Sequence, residues 1–334
     1  MLWLSGAEAG CFVGFSWRLA DGACSRSGGR GTCGARHDEM IPFSLIIPVF
    51  NEQEALPATL ERLRVLWRGD FAKNAEVIVV DDGSRDGTAG VIAELQEDLG
   101  SAFRFLRHGR NRGYGASLKT GIRAATHEII AIVDADGTYP LERLGEFVAA
   151  LEAEGAAMMV GARPVRQQPA IRRPAKAFLR ALAEYLTGER IPDLNSGFRV
   201  FRRSDAARLF SLLPDGFSFT TTITMALLTE GEKVVFVPIK YRRRVGNSKI
   251  SPIRDTVGFT LLICRTTLAF NPLKVFGPVG LVLIGMGVAL LVLRMLLDNA
   301  FGVASTIFCL VGGIQVLALG LLADLINRRG QPSK

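Results

Sequence analysis

Four aspartates fall in two pairs, each at the end of an apolar run: Asp81-Asp82 after residues 77–80, and Asp134-Ala135-Asp136 after residues 129–133. Two carboxylates this close offer hard oxygen donors of the kind that Mg2+ or Mn2+ accepts. A cation held by Asp134 and Asp136 would neutralise a diphosphate and stabilise its negative charge as it leaves. Those two residues are therefore the candidate metal ligands and catalytic residues. A lone Asp-x-Asp is common in surface loops. Here it ends a strand-like run and has a second acidic pair one strand away. If the strand continued through it, alternation would put Asp134 and Asp136 on one side.

The elements that must carry these residues alternate strand and helix from residue 41 onward. Residues 43–49, 76–80, 103–106, 129–133 and 158–161 read as short apolar strands, the last closing the series. Residues 54–67, 88–99, 115–125 and 141–152 read as helices between them. This pattern predicts an α/β fold with a mostly parallel sheet covered by helices on both faces. Ligands in such folds sit at the carboxyl ends of the strands, where both acidic pairs fall. The run Gly109-Arg110-Asn111-Arg112-Gly113-Tyr114-Gly115 lacks dinucleotide-fingerprint spacing. It either shapes a ligand pocket with amides at a helix N-terminus or merely turns the chain. His37, His108 and His127 show no pairing that suggests metal or catalytic work.

The ends of the chain differ from this body. Residues 1–39 are rich in Gly, Ser, Ala and Cys and lack periodicity, which reads as a disordered tail or a translation artefact upstream of a start at Met40. Residues 40–255 form the working domain, and 256–272 an apolar segment lying along a membrane interface. Residues 273–327 hold two apolar stretches, 273–297 and 301–326, each long enough to span a bilayer, joined by the tiny linker 298–300. A tail, 328–334, follows. Basic residues on both flanks place the working domain on the cytoplasmic side of a multi-pass membrane protein. The hydrophobic fraction of 49% and mean hydropathy of +0.25 arise largely from this end. The five cysteines (Cys11, Cys24, Cys33, Cys264 and Cys309) neither pair at zinc spacing nor form an even disulfide set.

The net charge of +8 favours anionic partners. The basic residues lie beside apolar or Gly-rich motifs with few interleaved aromatics, so nucleic acid is not expected. One basic cluster holds Arg163, Arg166, Arg172, Arg173, Lys176 and Arg180; another holds Lys240, Arg242, Arg243, Arg244, Lys249 and Arg254. They serve either as attraction to anionic headgroups or as a clamp on a lipid phosphate.

Five motifs in order carry a resemblance: Pro48-Val-Phe-Asn51-Glu52, Asp81-Asp82-Gly83-Ser84, Asp134-Ala-Asp136-Gly-Thr138, Asp193-Leu-Asn-Ser196-Gly197-Phe198-Arg199 and Arg244-Val-Gly-Asn-Ser-Lys249. Over residues 41–270 the chain resembles the family 2 glycosyltransferases with the GT-A (Rossmann-like) fold, in the polyprenol-phosphate hexosyltransferase branch typified by dolichol-phosphate mannose synthase. The resemblance implies a membrane-anchored, inverting, metal-dependent transferase that moves a hexose from a nucleotide sugar of the GDP-mannose or UDP-glucose type to polyprenyl phosphate. It implies that Pro48, Asn51, Glu52, Asp81 and Asp82 bind the nucleoside and that Arg163 meets donor phosphate. By the same likeness Arg199, Arg244 and Lys249 hold the acceptor phosphate. Asp193, the third candidate catalytic residue, either organises the acceptor side or has a helix-capping or loop role. Thr138 departs from the pattern, because many relatives have glutamine there as a metal ligand. A transferase acting on a growing glycan or glycolipid is an alternative, although no Gln-x-x-Arg-Trp run is present. A non-catalytic membrane scaffold is another, and it predicts decay of the acidic motifs. A homo-oligomer is compatible with all of these.

Overall fold

The computed structural model describes residues 41–69, 71–164, 173–216, 218–242, 260–261, 263–268, 271–297 and 303–330. The expectations for residues 1–39, Met40, Arg244, Lys249 and the linker 298–300 lie outside these residues.

Seven strands form one sheet: β1 (Phe43–Val49), β2 (Ala75–Asp81), β3 (Phe103–Arg107), β4 (Ile129–Ile132), β5 (Met158–Ala162), β6 (Arg199–Arg202) and β7 (Val234–Pro238). Their order is β3-β2-β1-β4-β6-β5-β7. In β1, Phe43 lies opposite Ala75 of β2 and Ile129 of β4, both in parallel. β6 runs antiparallel to both neighbours, with Arg199 opposite Ile132 of β4 and Val160 of β5. The mostly parallel sheet matches expectation, but β5 does not close the series. The antiparallel β6 inserts between β4 and β5, and β7 adds a parallel strand outside β5.

Helices α1 (Leu56–Trp67), α2 (Phe71–Asn74), α3 (Thr88–Leu99), α4 (Tyr114–Ala124), α5 (Leu144–Ala153), α6 (Arg173–Thr187), α7 (Arg203–Arg208) and α8 (Phe219–Thr229) complete the domain. Side-chain alternation divides the core into two layers. Leu45, Ile47, Val77, Val79 and Ala131 face Leu60 and Leu63 of α1 and Phe147 of α5. Ile46, Ile78, Val80 and Ile132 face Leu118 and Ile122 of α4 and Ile223 of α8. α4 begins one residue earlier than expected, at Tyr114, and two further helix starts differ for local reasons. α1 begins at Leu56, with proline in its first positions, where a missing N–H is harmless. The stretch 141–143 forms a 3-10 turn before α5.

Two helices of membrane-spanning length and composition follow, Leu273–Leu297 and Val303–Gly330. They pack antiparallel at glycines. A Cβ on Gly313 would lie 2.6 Å from Ile284 Cγ1 and 2.9 Å from the Gly280 carbonyl oxygen, and one on Gly320 would lie 2.8 Å from Phe276 Cβ. Apolar helices in lipid gain little from burying more apolar surface, so close backbone approach supplies the packing. Gly313→Leu is therefore expected to cost about 1–3 kcal/mol by overpacking, read as a lower melting temperature in detergent. The same change at neighbouring Gly312, where an added Cβ meets nothing within 4 Å, is expected to leave melting almost unchanged.

The hairpin is tied to the domain. Lys274 Nζ donates to the Leu186 carbonyl at the end of α6 (2.9 Å). Residues 260–261 and 263–268 are helical. Ile263 and Val275 join Leu179, Leu186, Met225 and Leu228 in a third apolar cluster. Asn327 Nδ2 closes the other end on the Leu268 carbonyl (3.2 Å).

Candidate active site

β4 ends at Ile132, so Asp134 and Asp136 stand on the turn that follows rather than on the strand itself. α1 holds that turn from one side. Thr59 Oγ1 donates to the Ala135 carbonyl (2.7 Å), and Arg62 Nη1 donates to the carbonyls of Gly137 (3.1 Å) and Tyr139 (2.9 Å). Gly137 takes a φ of +69°, which favours glycine. With Ala135 buried between them, the two aspartates are partly exposed.

Each carboxylate has a positioned neighbour. Tyr114 Oη donates to Asp134 Oδ1 (2.8 Å). Burial, then the adjacent Asp134 charge, pushes the Tyr114 pKa well above its ordinary value, so the hydroxyl keeps its proton. Gly197 packs against the same carboxylate, and a Cβ there would sit 2.1 Å from Asp134 Oδ2. The Gly197 amide donates to Tyr139 Oη (2.8 Å). Thr138 donates to Asp136 Oδ1 from its hydroxyl (2.6 Å) and its amide (3.2 Å). Thr138 thus orients a carboxylate, and its hydroxyl hydrogen points at Asp136. Among the described residues no group of three or more His, Cys, Asp or Glu side chains could hold a metal. A pair of carboxylates fits a cation that takes its other ligands from diphosphate oxygens and water, as Mg2+ commonly does.

The first acidic pair sits beside a cleft of about 610 Å3 whose lining includes Phe50, Asn51, Arg85, Arg107, His108 and Arg110. Asp81 Oδ1 accepts from the Ser84 amide (2.9 Å). Its buried Oδ2 has no hydrogen bond among the described residues and lies 3.1 Å from Arg107 Nε. Asp82, expected to reach the base or ribose, is occupied within the protein. It accepts from the amides of Arg112 (2.9 Å) and Gly113 (2.8 Å) and pairs with His108 Nδ1 (2.7 Å). Amides ahead of α4 are thus turned inward to a carboxylate, while Gly109, Arg110 and Asn111 line the cleft. His108, given no role by sequence pattern, is a buried partner of both Asp82 and Thr120 Oγ1 (3.0 Å). Its one legible signal was its place at the end of β3, at the same carboxyl edge. Pro48 is buried in β1 opposite Val80. Asn51, at φ +52°, accepts from the Arg85 amide (2.9 Å), and the Glu52 amide donates to Thr88 Oγ1 (3.1 Å). These bonds clip the loop after β1 to the loop after β2.

On the opposite side Arg163 grips Asp193 with two bonds, Nε to Oδ2 (2.7 Å) and Nη2 to Oδ1 (2.9 Å), and its guanidinium lies 5.6 Å from the Tyr241 ring centre. Burial works against the Asp193 carboxylate, but the Arg163 bonds outweigh it and hold its pKa below the ordinary value. A depressed carboxylate contributes stability that is present above the unfolded-state pKa of about 3.9 and lost as pH falls through the folded value. The melting difference between wild type and Asp193→Asn is therefore expected to be full above about pH 5 and to shrink below pH 3.9.

Arg199, expected to hold an acceptor phosphate, does not face solvent. It is fully buried, donating to the carbonyls of Ser196 (2.7 Å) and Leu194 (2.8 Å) and to Thr224 Oγ1 (2.6 Å). Burial lowers its pKa to about 10. Its role is to hold the 193–198 loop, which presents Asp193 and Gly197, against α8.

Residues 44–210 match the model described as Glycosyl transferase family 2, and residues 271–328 match the GtrB C-terminal hairpin. The chain is 30% identical over 294 residues to the undecaprenyl-phosphate 4-deoxy-4-formamido-L-arabinose transferase of Enterobacter sp. (strain 638), covering 85% of this chain and 88% of that one. The chain belongs to glycosyl transferase family 2. A second relative of the same description, from Pseudomonas fluorescens (strain Pf0-1), is 29% identical, with 85% and 84% covered. In fold, this glycosyltransferase is similar to mannosyl-3-phosphoglycerate synthase from Rubrobacter xylanophilus, with a TM-score of 0.51, 18% identity, and 68% and 72% coverage. It is also similar to glucosyl-3-phosphoglycerate synthase from Mycobacterium tuberculosis in complex with Mn2+, UDP and phosphoglyceric acid, with a TM-score of 0.50, 17% identity, and 68% and 78% coverage. The GT-A architecture is thus joined, in this glycosyltransferase, to a membrane hairpin.

Proposed function

We propose that this glycosyltransferase moves a hexose from a nucleotide sugar to polyprenyl phosphate at the cytoplasmic face of a membrane. One observation carries the reading: the domain bearing the acidic turn is pinned to the membrane hairpin by Lys274 and the Ile263 cluster. A lipid-borne acceptor is then presented to the site at the bilayer surface. The relatives' names, which specify undecaprenyl phosphate, support the same acceptor class. Arg328 and Arg329 after the second span, with the basic run before the first, support the cytoplasmic placement.

In this reading the nucleoside lies in the cleft between the β1 and β2 loops, near Asn51, Arg85 and Arg107. Asp134 and Asp136 would hold Mg2+ or Mn2+, which when bound would neutralise charge on the donor diphosphate. A phosphate monoester is already anionic near neutral pH. Its oxygen attacks the anomeric carbon as the bond to the diphosphate oxygen breaks, inverting that carbon without a covalent enzyme intermediate. The protein contributes positioning and charge: Arg163 beside the donor phosphates, Asp193 ordering the acceptor side through Arg163, and Arg244 and Lys249 as the acceptor-phosphate cations.

The test is to incubate purified membranes with polyprenyl phosphate and a panel of labelled nucleotide sugars. The panel spans GDP-mannose, UDP-glucose and a nucleotide-linked 4-deoxy-4-formamido-L-arabinose. Lipid-extractable label that a chelator abolishes is the expected result. Label from the pentose-derived donor alone would overturn the hexose assignment, and no lipid label from any donor would overturn the acceptor.

A further inference from the structure

The two acidic pairs stand at the ends of β2 and β4, with β1 between them. Among the described residues, the chain around Tyr114 touches both pairs. Tyr114 is the first residue of α4, directly after the two amides that Asp82 binds. Its neighbours on the far side are equally constrained. A Cβ on Gly113 would lie 2.4 Å from the Asp215 carbonyl oxygen, and one on Gly115 would lie 2.2 Å from that of Pro214. The Ala116 amide also donates to the Asp215 carbonyl (3.0 Å). The backbone of Tyr114 is thus fixed by Asp82 on one side and the 214–216 segment on the other. From that anchored position its hydroxyl reaches Asp134 Oδ1.

We propose that Tyr114 is a positioning residue that sets the orientation of Asp134 for the divalent cation and couples it to the donor cleft through Asp82 and His108. This rests on the assignment of Asp134 and Asp136 to the cation made above. Residues that hydrogen-bond metal ligands set their rotamer, and losing one weakens metal affinity or activity by about 10- to 100-fold. The Gly197 backbone limits where the Asp134 carboxylate can go on its other side, so the tyrosine bond selects among few remaining orientations. The bond also explains why a large aromatic residue occupies the start of α4 between two glycines.

The experiment uses the full chain in detergent and measures Mn2+ binding by electron paramagnetic resonance of the free ion, with UDP and, separately, GDP present. Tyr114→Phe keeps the ring and removes only the hydroxyl. It is expected to bind Mn2+ about 10-fold more weakly while melting near the wild-type temperature. Its transfer rate is expected to recover at high Mn2+, because the defect lies in ligand orientation. Wild-type Mn2+ affinity in Tyr114→Phe overturns the proposal, as does a rate that stays low at every Mn2+ concentration. Asp136→Asn run alongside separates the two levels. If Asp136→Asn loses the ion and Tyr114→Phe does not, only the positioning role fails. If Asp136→Asn binds Mn2+ as wild type does, the metal assignment fails and this inference with it.

Discussion

Asp136→Asn is expected to lower sugar transfer by at least about 100-fold, a loss typical of removing one group that stabilises developing charge. The substitution separates chemistry from folding. Asn keeps a carbonyl oxygen where Asp136 Oδ1 stands, so the Thr138 hydroxyl and amide keep their acceptor. What disappears is a negative charge and, in the proposed reading, one oxygen ligand of the cation at the diphosphate. Alanine is a less clean choice, because it leaves the buried Thr138 hydroxyl without its acceptor at a cost of about 1–3 kcal/mol. The readout is lipid-extractable label beside a thermal melt, with the melt almost unmoved. Full transfer by Asp136→Asn would remove this residue from the reaction.

Arg199→Met is expected to cost several kcal/mol of stability, because three buried acceptors each lose a charge-assisted bond worth about 1.5–3 kcal/mol. Methionine follows the path of the arginine stem but donates nothing. The carbonyls of Ser196 and Leu194 and the Thr224 hydroxyl would lose their bonds from a fully buried side chain. Arg199→Lys is expected to recover little, because one ammonium cannot reproduce a planar fork aimed at three acceptors. A large drop in melting temperature for both variants, measured without substrates, checks this. A variant that melts normally and loses only affinity for polyprenyl phosphate would restore the acceptor-binding role.

Much of the domain was legible because its strands are apolar and its helices periodic. β1, β2 and the acidic turn stand where the pattern puts them, and α3 keeps its expected limits at Thr88–Leu99. The first hairpin helix likewise runs over Leu273–Leu297 as expected. What was hidden is polar and buried. β6 reads Arg-Val-Phe-Arg, too short and too charged to read as an apolar run, and its first arginine is buried by bonding the loop just before it and Thr224 of α8, 25 residues on. α8 begins Phe-Thr-Thr-Thr, a β-branched run with low helical propensity, and tertiary burial on nearly every side overrides that preference. The Tyr114–Asp134 and His108–Asp82 contacts join residues 20 and 26 positions apart, so spacing along one element cannot reveal them. The Arg163–Asp193 pair likewise combines two residues that the motifs placed in different roles.

The reversed direction of β6 has a consequence for the order in which this protein becomes whole. During synthesis β1 to β4 leave the ribosome before residue 199 exists, so the partly made domain holds them without β6. At that stage β4 is an edge, with Ile129, Ile130 and Ile132 along an unpaired backbone that invites pairing with another nascent chain. Only when β6 threads in beside it does the edge close, and the same event delivers Gly197 to Asp134. Premature termination between residues 135 and 198 should therefore yield an aggregating product rather than a smaller soluble domain. The segment that brings Gly197 against Asp134 is also the one that covers the half-made sheet.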